Sequence, residues 1–341
     1  MREHEGEHSK YQFKRWLTSR EAVITWIGVA GFILCAFSVD RFLTIDNLLN
    51  LSRQIALIGI VSVGMTFLLV AGEIDISVGS VYGALNVVMG VLVVRHGFNP
   101  WVGLALVMAI GLAIGAFNGI AVTQVRVPSF IVTLAAMTAY RSAALLLSGE
   151  QPSVTDGAGS FYDVTGGYVG RIPCLIVWMA AVMLVGGGIL SQTRLGWHVY
   201  SAGGNELAAR ECGIRTTRVK IFCFMLTSTL CGLIAALLFG WLHVATPTTG
   251  TGFEFQVIAA VVVGGVALNG GKGSVYGAFI GAMILGIIGS ALVLLGLSQQ
   301  WEEVITGALI LAVGAVDVGV YGLFSRELSH IRHYLSRRAN S

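Results

Sequence analysis

The stretch VKIFCFMLTSTLCGLIAALLFG, residues 219–240, holds one charged side chain, Lys220 near its start, and is otherwise apolar, small or hydroxylated. As an α-helix it covers about 33 Å, the thickness of a bilayer's hydrocarbon core. Working outward, comparable runs occur at 22–39, 53–71, 77–94, 101–123, 129–148, 172–191, 254–268, 274–296 and 303–324, ten in all. The runs 77–94 and 254–268 are short, so one or both are expected to tilt or re-enter. Backbone that is not helical at membrane depth must be buried in protein or line a wet cavity. The expected fold is all-α, a polytopic membrane protein with about ten transmembrane helices.

Composition agrees. Of 341 residues, 55% are hydrophobic and 11% charged, with mean hydropathy +0.79. Soluble domains carry about 25% charged residues, so a water-soluble enzyme of this size is excluded. Gly 45 against Pro 5 suits membrane helices that approach closely through small residues. A net charge of +3 is too small to suggest a nucleic-acid partner. The five cysteines form no CxxC, and four lie in apolar stretches where a thiol packs as a small hydrophobe. Residues 1–21 are polar and charged without a following cleavage site, which reads as a cytoplasmic N-terminal segment rather than a signal peptide.

Lys and Arg placement orients the chain. Ten spans put both termini on one side, together with the segments near 126, 192–218 and 269–273. That side collects sixteen of the 21 basic residues, against Arg41, Arg53, Arg95 and Arg171 opposite and Arg141 inside a span. Both termini are therefore expected to be cytoplasmic, around a transmembrane domain at 22–324, with a basic tail at 325–341 and a plasma-membrane location.

The chain also echoes itself. Gly79-Ser80-Val81-Tyr82-Gly83-Ala84 recurs as Gly273-Ser274-Val275-Tyr276-Gly277-Ala278. Each copy follows a Gly-containing turn and opens a span, and the span count runs both in one direction. Transporters often contain such repeats with the pathway at their interface. A diverged repeat is favoured over coincident small-residue composition.

In the cytoplasmic segment 192–218, Gly203-Gly204-Asn205-Glu206-Leu207-Ala208-Ala209-Arg210-Glu211-Cys212-Gly213 reads as a short capped helix. Asn205 is placed to cap its start, Glu206 complements the positive end, and Gly213 stops it. Either it docks a cytoplasmic partner or it is a plain connector; composition does not choose. Few ionisable groups lie near the membrane: Glu73, Asp75, Arg141, Glu254 and Asp317. Such groups are functional candidates by default, although Asp75 also suits a cap near Ser77. No proton-relay series emerges, which weakens an ion-coupled secondary transporter as the alternative function. The seven histidines show no metal-ligand spacing, and Asn269-Gly270-Gly271-Lys272-Gly273-Ser274 fails as a phosphate loop because Val266 and Gly273 occupy two of its required positions. No catalytic constellation, cofactor or metal site is expected on this chain.

Over roughly residues 45–320 the sequence resembles the membrane permease subunit of ribose/xylose-type carbohydrate-import ABC transporters. Four ordered segments carry the resemblance: Ala71–Ser80, with Glu73 at a position often Gly and Ser77 and Gly79 following; Val127-Pro128-Ser129 through Arg141, with Ser142 replacing Gly; Gly203–Ile214; and Ile258 through Gly264 and Gly265 to Gly270, Gly271 and Gly273. The family's Asn-rich stretch is absent at Gly289–Gly296. The resemblance implies a non-enzymatic permease for a monosaccharide or similar polyol. It further implies a second permease copy or homologue, a separate cytoplasmic ATPase holding ATP and Mg, and an extracytoplasmic sugar-binding protein. On that footing residues 203–213 become the ATPase-coupling helix, and loops 149–171 and 241–253 the outer docking surface. A sparse polar lining is expected from Asn86, Asn118, Thr133 and Ser142, with Arg141 expected to bond backbone carbonyls.

Overall fold

The computed structural model describes residues 20–298 and 300–315. Its helices are α1 (Arg20–Ser38), α2 (Ile45–Val70), α3 (Val78–Gly90, extended by the π-helical turn Val91–Arg95), α4 (Pro100–Thr123), α5 (Ser129–Ser148), α6 (Ser160–Thr165) and α7 (Cys174–Gln192). They continue as α8 (Arg194–Gly204), α9 (Glu206–Glu211), α10 (Thr216–Leu242), α11 (Phe253–Val263) and α12 (Val275–Leu294), with a last helix, α13, described over 300–315. Four two-residue strands form two clips: β1 (Ser153–Val154) pairs antiparallel with β4 (Val244–Ala245), and β2 (Tyr168–Val169) with β3 (Ile172–Pro173). The protein is an all-α polytopic membrane protein.

Eight of the described helices are long and apolar enough to cross a membrane: α1, α2, α3 with its π turn, α4, α5, α7, α10 and α12. The expected run 254–268 is instead a short helix, because Gly264 and Gly265 turn the chain after Val263 and Gly265 adopts φ 89°. The first 19 residues, the end of the run 303–324 with Asp317, and the tail 325–341 lie outside the described residues.

The helices arrange themselves by how much apolar face they hide. α2 and α10 are the buried centre, with 89% and 72% of their spanning windows covered, whereas α1 and α5 lie outside at 6% and 17%. α4 packs along α10 through Gly111, Gly115 and Gly119, whose spacing of four puts them on one helix face. A Cβ on Gly115 would stand 2.6 Å from Met225 Cα, and one on Gly119 2.9 Å from Ile221 Cα. Gly232 of α10 answers from the other side, 3.0 Å from Met108 Cα by the same measure. Backbone meets backbone here, the geometry that small residues give membrane helices.

The two echoed segments lie beside one another. Gly271 N–H donates to Val70 O at 2.8 Å, so the turns leading into α3 and α12 meet and both helices run away from the end of the bundle that carries α9. Their glycines have related uses: Gly83 makes room for the Thr249 carbonyl ahead of α11, and Gly277 for the Gly264 carbonyl behind it. The repeat thus holds the short helix from both ends.

At the opposite end, two of the minority basic residues are absorbed by structure. Arg53 is buried between the rings of Tyr168 and Trp241, 5.0 and 5.3 Å from their centroids, and donates to Asn50 Oδ1 and the Tyr168 hydroxyl. Arg95 donates to the Leu147 and Ser148 carbonyls, closing the C-terminal end of α5 where a cation complements the helix dipole.

Gly115→Leu is expected to lower stability by about 3 kcal/mol or to prevent folding, since backbone atoms of α10 cannot step aside for a side chain. A Cβ at Gly188 meets nothing within 4 Å, so Gly188→Ala should be neutral. Thermal unfolding in detergent compares the two.

Candidate functional site

Two polar clusters stand out, one at the α9 end and one inside the bundle. The first begins with local chemistry. Thr193 caps α8 by accepting from Gly196 N–H, and Asn205 Oδ1 caps α9 by accepting from Ala208 N–H at 3.0 Å. Gly213, at φ 84°, ends α9 by letting the Gly213 and Ile214 amides donate to the Arg210 and Ala209 carbonyls. Only Ala209 of this helix is buried; Leu207, Ala208, Arg210 and Glu211 face outward, and Leu207 is 75% exposed.

Beneath α9 three backbone turns share one space. A Cβ at Gly203 would collide with the Val70 carbonyl, one at Gly270 would stand 2.8 Å from the Gly203 carbonyl and 3.0 Å from Gly72 Cα, and one at Gly271 2.7 Å from Gly204 Cα. The Tyr200 hydroxyl fastens the cluster by donating to Gly273 O at 2.6 Å. Gly203, Gly204, Gly270, Gly271 and Gly273 are thereby assembled from distant segments, with Gly72 and Tyr200 as members the sequence did not single out.

Beside them is an ionic clasp. Lys220 Nζ lies 2.7 Å from Glu73 Oε1 and 2.8 Å from Glu206 Oε2. Glu206 Oε1 also accepts from Arg210 and, at 3.2 Å, from the Thr216 hydroxyl, which itself accepts from Arg210 Nε at 2.9 Å. Burial alone raises the Glu206 pKa, but the Lys220 and Arg210 contacts outweigh it and hold the carboxyl below its usual range. A cavity of about 440 Å³ adjoins the clasp, lined by Glu73, Thr123, Arg126, Ser129, Arg210 and Lys220 among others, with Pro128 at its rim where it caps the start of α5.

The second cluster follows α3. Asp75 is fully buried, and its Oδ1 accepts from Ser77 N–H at 2.8 Å and Ser77 Oγ at 2.6 Å, which fixes the start of α3. Asn118 of α4 reaches Ser77 Oγ at 3.4 Å. Farther along, Asn86 donates to the Ala235 carbonyl at 3.1 Å and accepts from Thr249 Oγ1 at 3.3 Å, while Arg141 Nη1 donates to the Thr249 carbonyl at 2.8 Å. Asn86 and Arg141 are thus joined through residues 246–252, which pack against α3 at Gly79 and Gly83. That segment, expected within an outer docking loop, folds inward because the α3 glycines leave it room. Thr133 is turned to its own helix, donating to Ser129 O at 2.8 Å, and Ser142 faces outward. Neither joins the cluster.

The site thus sits in a many-spanning bundle with a short helix inside it and a capped helix standing out at one end. Residues 47–314 match the family described as branched-chain amino acid transport system, permease component, and the chain belongs to that family. It is 36% identical to the ribose import permease protein RbsC of Escherichia coli K12, over 90% of this chain and 96% of that one. It is also 36% identical to the Bacillus subtilis ribose import permease, over 84% and 88%. The autoinducer 2 import system permease LsrC of Yersinia pseudotuberculosis is 32% identical, over 88% and 84%. No solved structure matches. The relatives are importer permeases, so the ion-coupled carrier reading is dropped.

Because the Glu206 pKa is depressed, its stabilising contribution is complete above the ordinary glutamate value, about 4.3, and is lost as pH falls through the lower folded-state value. The wild type should therefore melt above Glu206→Gln at pH 7, with the gap closing on acidification below about pH 4; a gap independent of pH contradicts the clasp.

Proposed function

We infer that the chain is the permease subunit of an ATP-binding cassette importer for a monosaccharide or similar small polyol. An extracytoplasmic binding protein delivers the solute, and a separate ATPase subunit carrying ATP and Mg powers the cycle. The observation that carries this reading is the similarity to ribose import permeases over nearly their whole length. The α9 end is cytoplasmic, in keeping with Arg194, Arg210, Arg215, Arg218 and Lys272 gathered there. Both termini share that side of the inner, plasma membrane.

In this reading α9 is the coupling helix. Its exposed Leu207 and Ala208 supply a small apolar face for the ATPase, and its caps make it a rigid unit that ATPase closure displaces as one piece. The glycine turns beneath it bring both echoed helices to the site where force arrives. Solute passes along a polar strip beside α3. Asp75 Oδ2, Ser80 Oγ, Asn118 Oδ1 and Glu254 Oε2 are buried there without protein partners, and such groups call for a hydrogen-bonding visitor. Asn86 and Arg141 hold the 246–252 segment at this strip. The outward face of α5, with Leu134, Thr138 and Ser142 exposed, suits a second permease copy or homologue across the path. Lipid covers the remaining apolar faces, and nucleic acid has no part.

Reconstituted alone, the chain should move no labelled ribose; with ATPase and binding protein added, uptake should become ATP-dependent. Accumulation by the isolated chain under an ion gradient would overturn the assignment. Ala208→Arg should abolish copurification of the ATPase while membrane insertion survives.

A further inference from the structure

Charged side chains inside a helical membrane protein are costly and are kept where they do something. Lys220 is 8% exposed, one turn into α10, and holds two carboxylates at once. The three charges come from three segments: Glu206 from α9, Lys220 from α10, and Glu73 from the connection between α2 and α3. Arg210 also pairs with Glu206, but Lys220 is the cation that both carboxylates share. Removing one member of such a group leaves charge buried and uncompensated, which costs far more than an exposed pair is worth.

Each end of the group is tied to something that moves or to something that guides solute. Glu206 belongs to α9, where Arg210 holds its carboxylate, and Thr216 at the start of α10 donates to the same oxygen. Glu73 is held by its own amide, which donates to Leu68 O at 2.9 Å, and stands two residues before Asp75, whose carboxylate sets the start of α3 through Ser77. α9 packs chiefly on α8 and α10; besides the backbone contact of Gly203 with Val70 just before α9, this chain of charges is its side-chain connection to the leading end of α3.

We propose that Glu206, Lys220 and Glu73 form an ionic strut that carries the displacement of α9 to the leading end of α3, with Lys220 as a positioning residue for transport. The proposal rests on α9 being the ATPase contact. Pulling α9 away alone would part Glu206 from a largely buried ammonium, so the three segments shift together. Salt-bridge networks joined to rigid helices are one physical means by which coupling is carried between sites.

The test uses the permease assembled with its ATPase and binding protein, with Cys212→Ser to remove the exposed native thiol. Spin labels are placed at Glu211 on α9 and His96 beyond the far end of α3, and in a second sample at Glu211 and Leu184 on α7, all exposed positions outside the ATPase face. Distances are compared without nucleotide and with ATP and vanadate. The wild type should change its 211–184 distance while 211–96 holds. Glu73→Met keeps the Lys220–Glu206 pair and ATPase copurification. It should make 211–96 nucleotide-dependent and cut ribose uptake per ATP hydrolysed by about tenfold, within the usual range of site-to-site coupling. Lys220→Met should do the same, the double variant no more than either alone, and Lys220→Arg should restore function. A 211–96 distance that stays fixed in Glu73→Met, or effects of the two substitutions that simply add, overturns the strut while leaving the coupling helix standing. A wild-type 211–184 distance indifferent to nucleotide overturns both.

Discussion

Where Gly203 meets the Val70 carbonyl, and Gly270 meets Gly203 and Gly72, two connecting turns and a helix end occupy a space that no side chain could enter. The same kind of contact recurs where α4 lies on α10 and where α12 lies on the end of α11. In hydrocarbon there is little hydrophobic drive to press helices together, so the closeness of backbone approach supplies much of the adhesion. It also lets irregular backbone exist in the interior. The segments 246–252 and 264–274 interrupt an apolar bundle, and both lie where glycines on α3 and α12 leave them room.

Electrostatics divides the molecule in two. At the far end, Arg53 and Arg95 are consumed in holding an aromatic cage and a helix terminus. At the α9 end the charges form a connected set reaching from a surface helix to the leading end of a buried one. One set fastens; the other, in the proposed strut, transmits. That division follows from which partners each base can reach, and the overall charge of +3 says nothing about it.

Hydropathy alone located the long helices, because a run such as 219–240 has no other stable home. The α9 helix was legible too, since Asn205 and Gly213 carry local chemistry that needs no tertiary partner. Legibility ended where distant segments decide. The run 254–268 is apolar throughout, and averaging over it hides the Gly264–Gly265 turn that ends α11. Thr133 and Ser142 looked alike as hydroxyls on a span, yet one bonds its own helix and the other faces outward. Lys220 read as one more base marking the cytoplasmic side, because its partner Glu73 lies far away in the chain. Asn86 and Arg141 were singled out individually, and only the inward fold of residues 246–252 joins them.

The enclosure of α2 bears on how the chain is made. This helix leaves the ribosome early, yet its neighbours α7, α10, α11 and α12 are all synthesised later, and the Val70 carbonyl finds its Gly271 donor only near the end. For most of translation α2 must therefore rest against lipid or an insertion factor, which the apolar run from Ile55 to Val70 permits. Gly271 and α12, which emerge late, complete the lock on one of the first helices, so a product truncated before them would be left in the membrane with its centre unsealed.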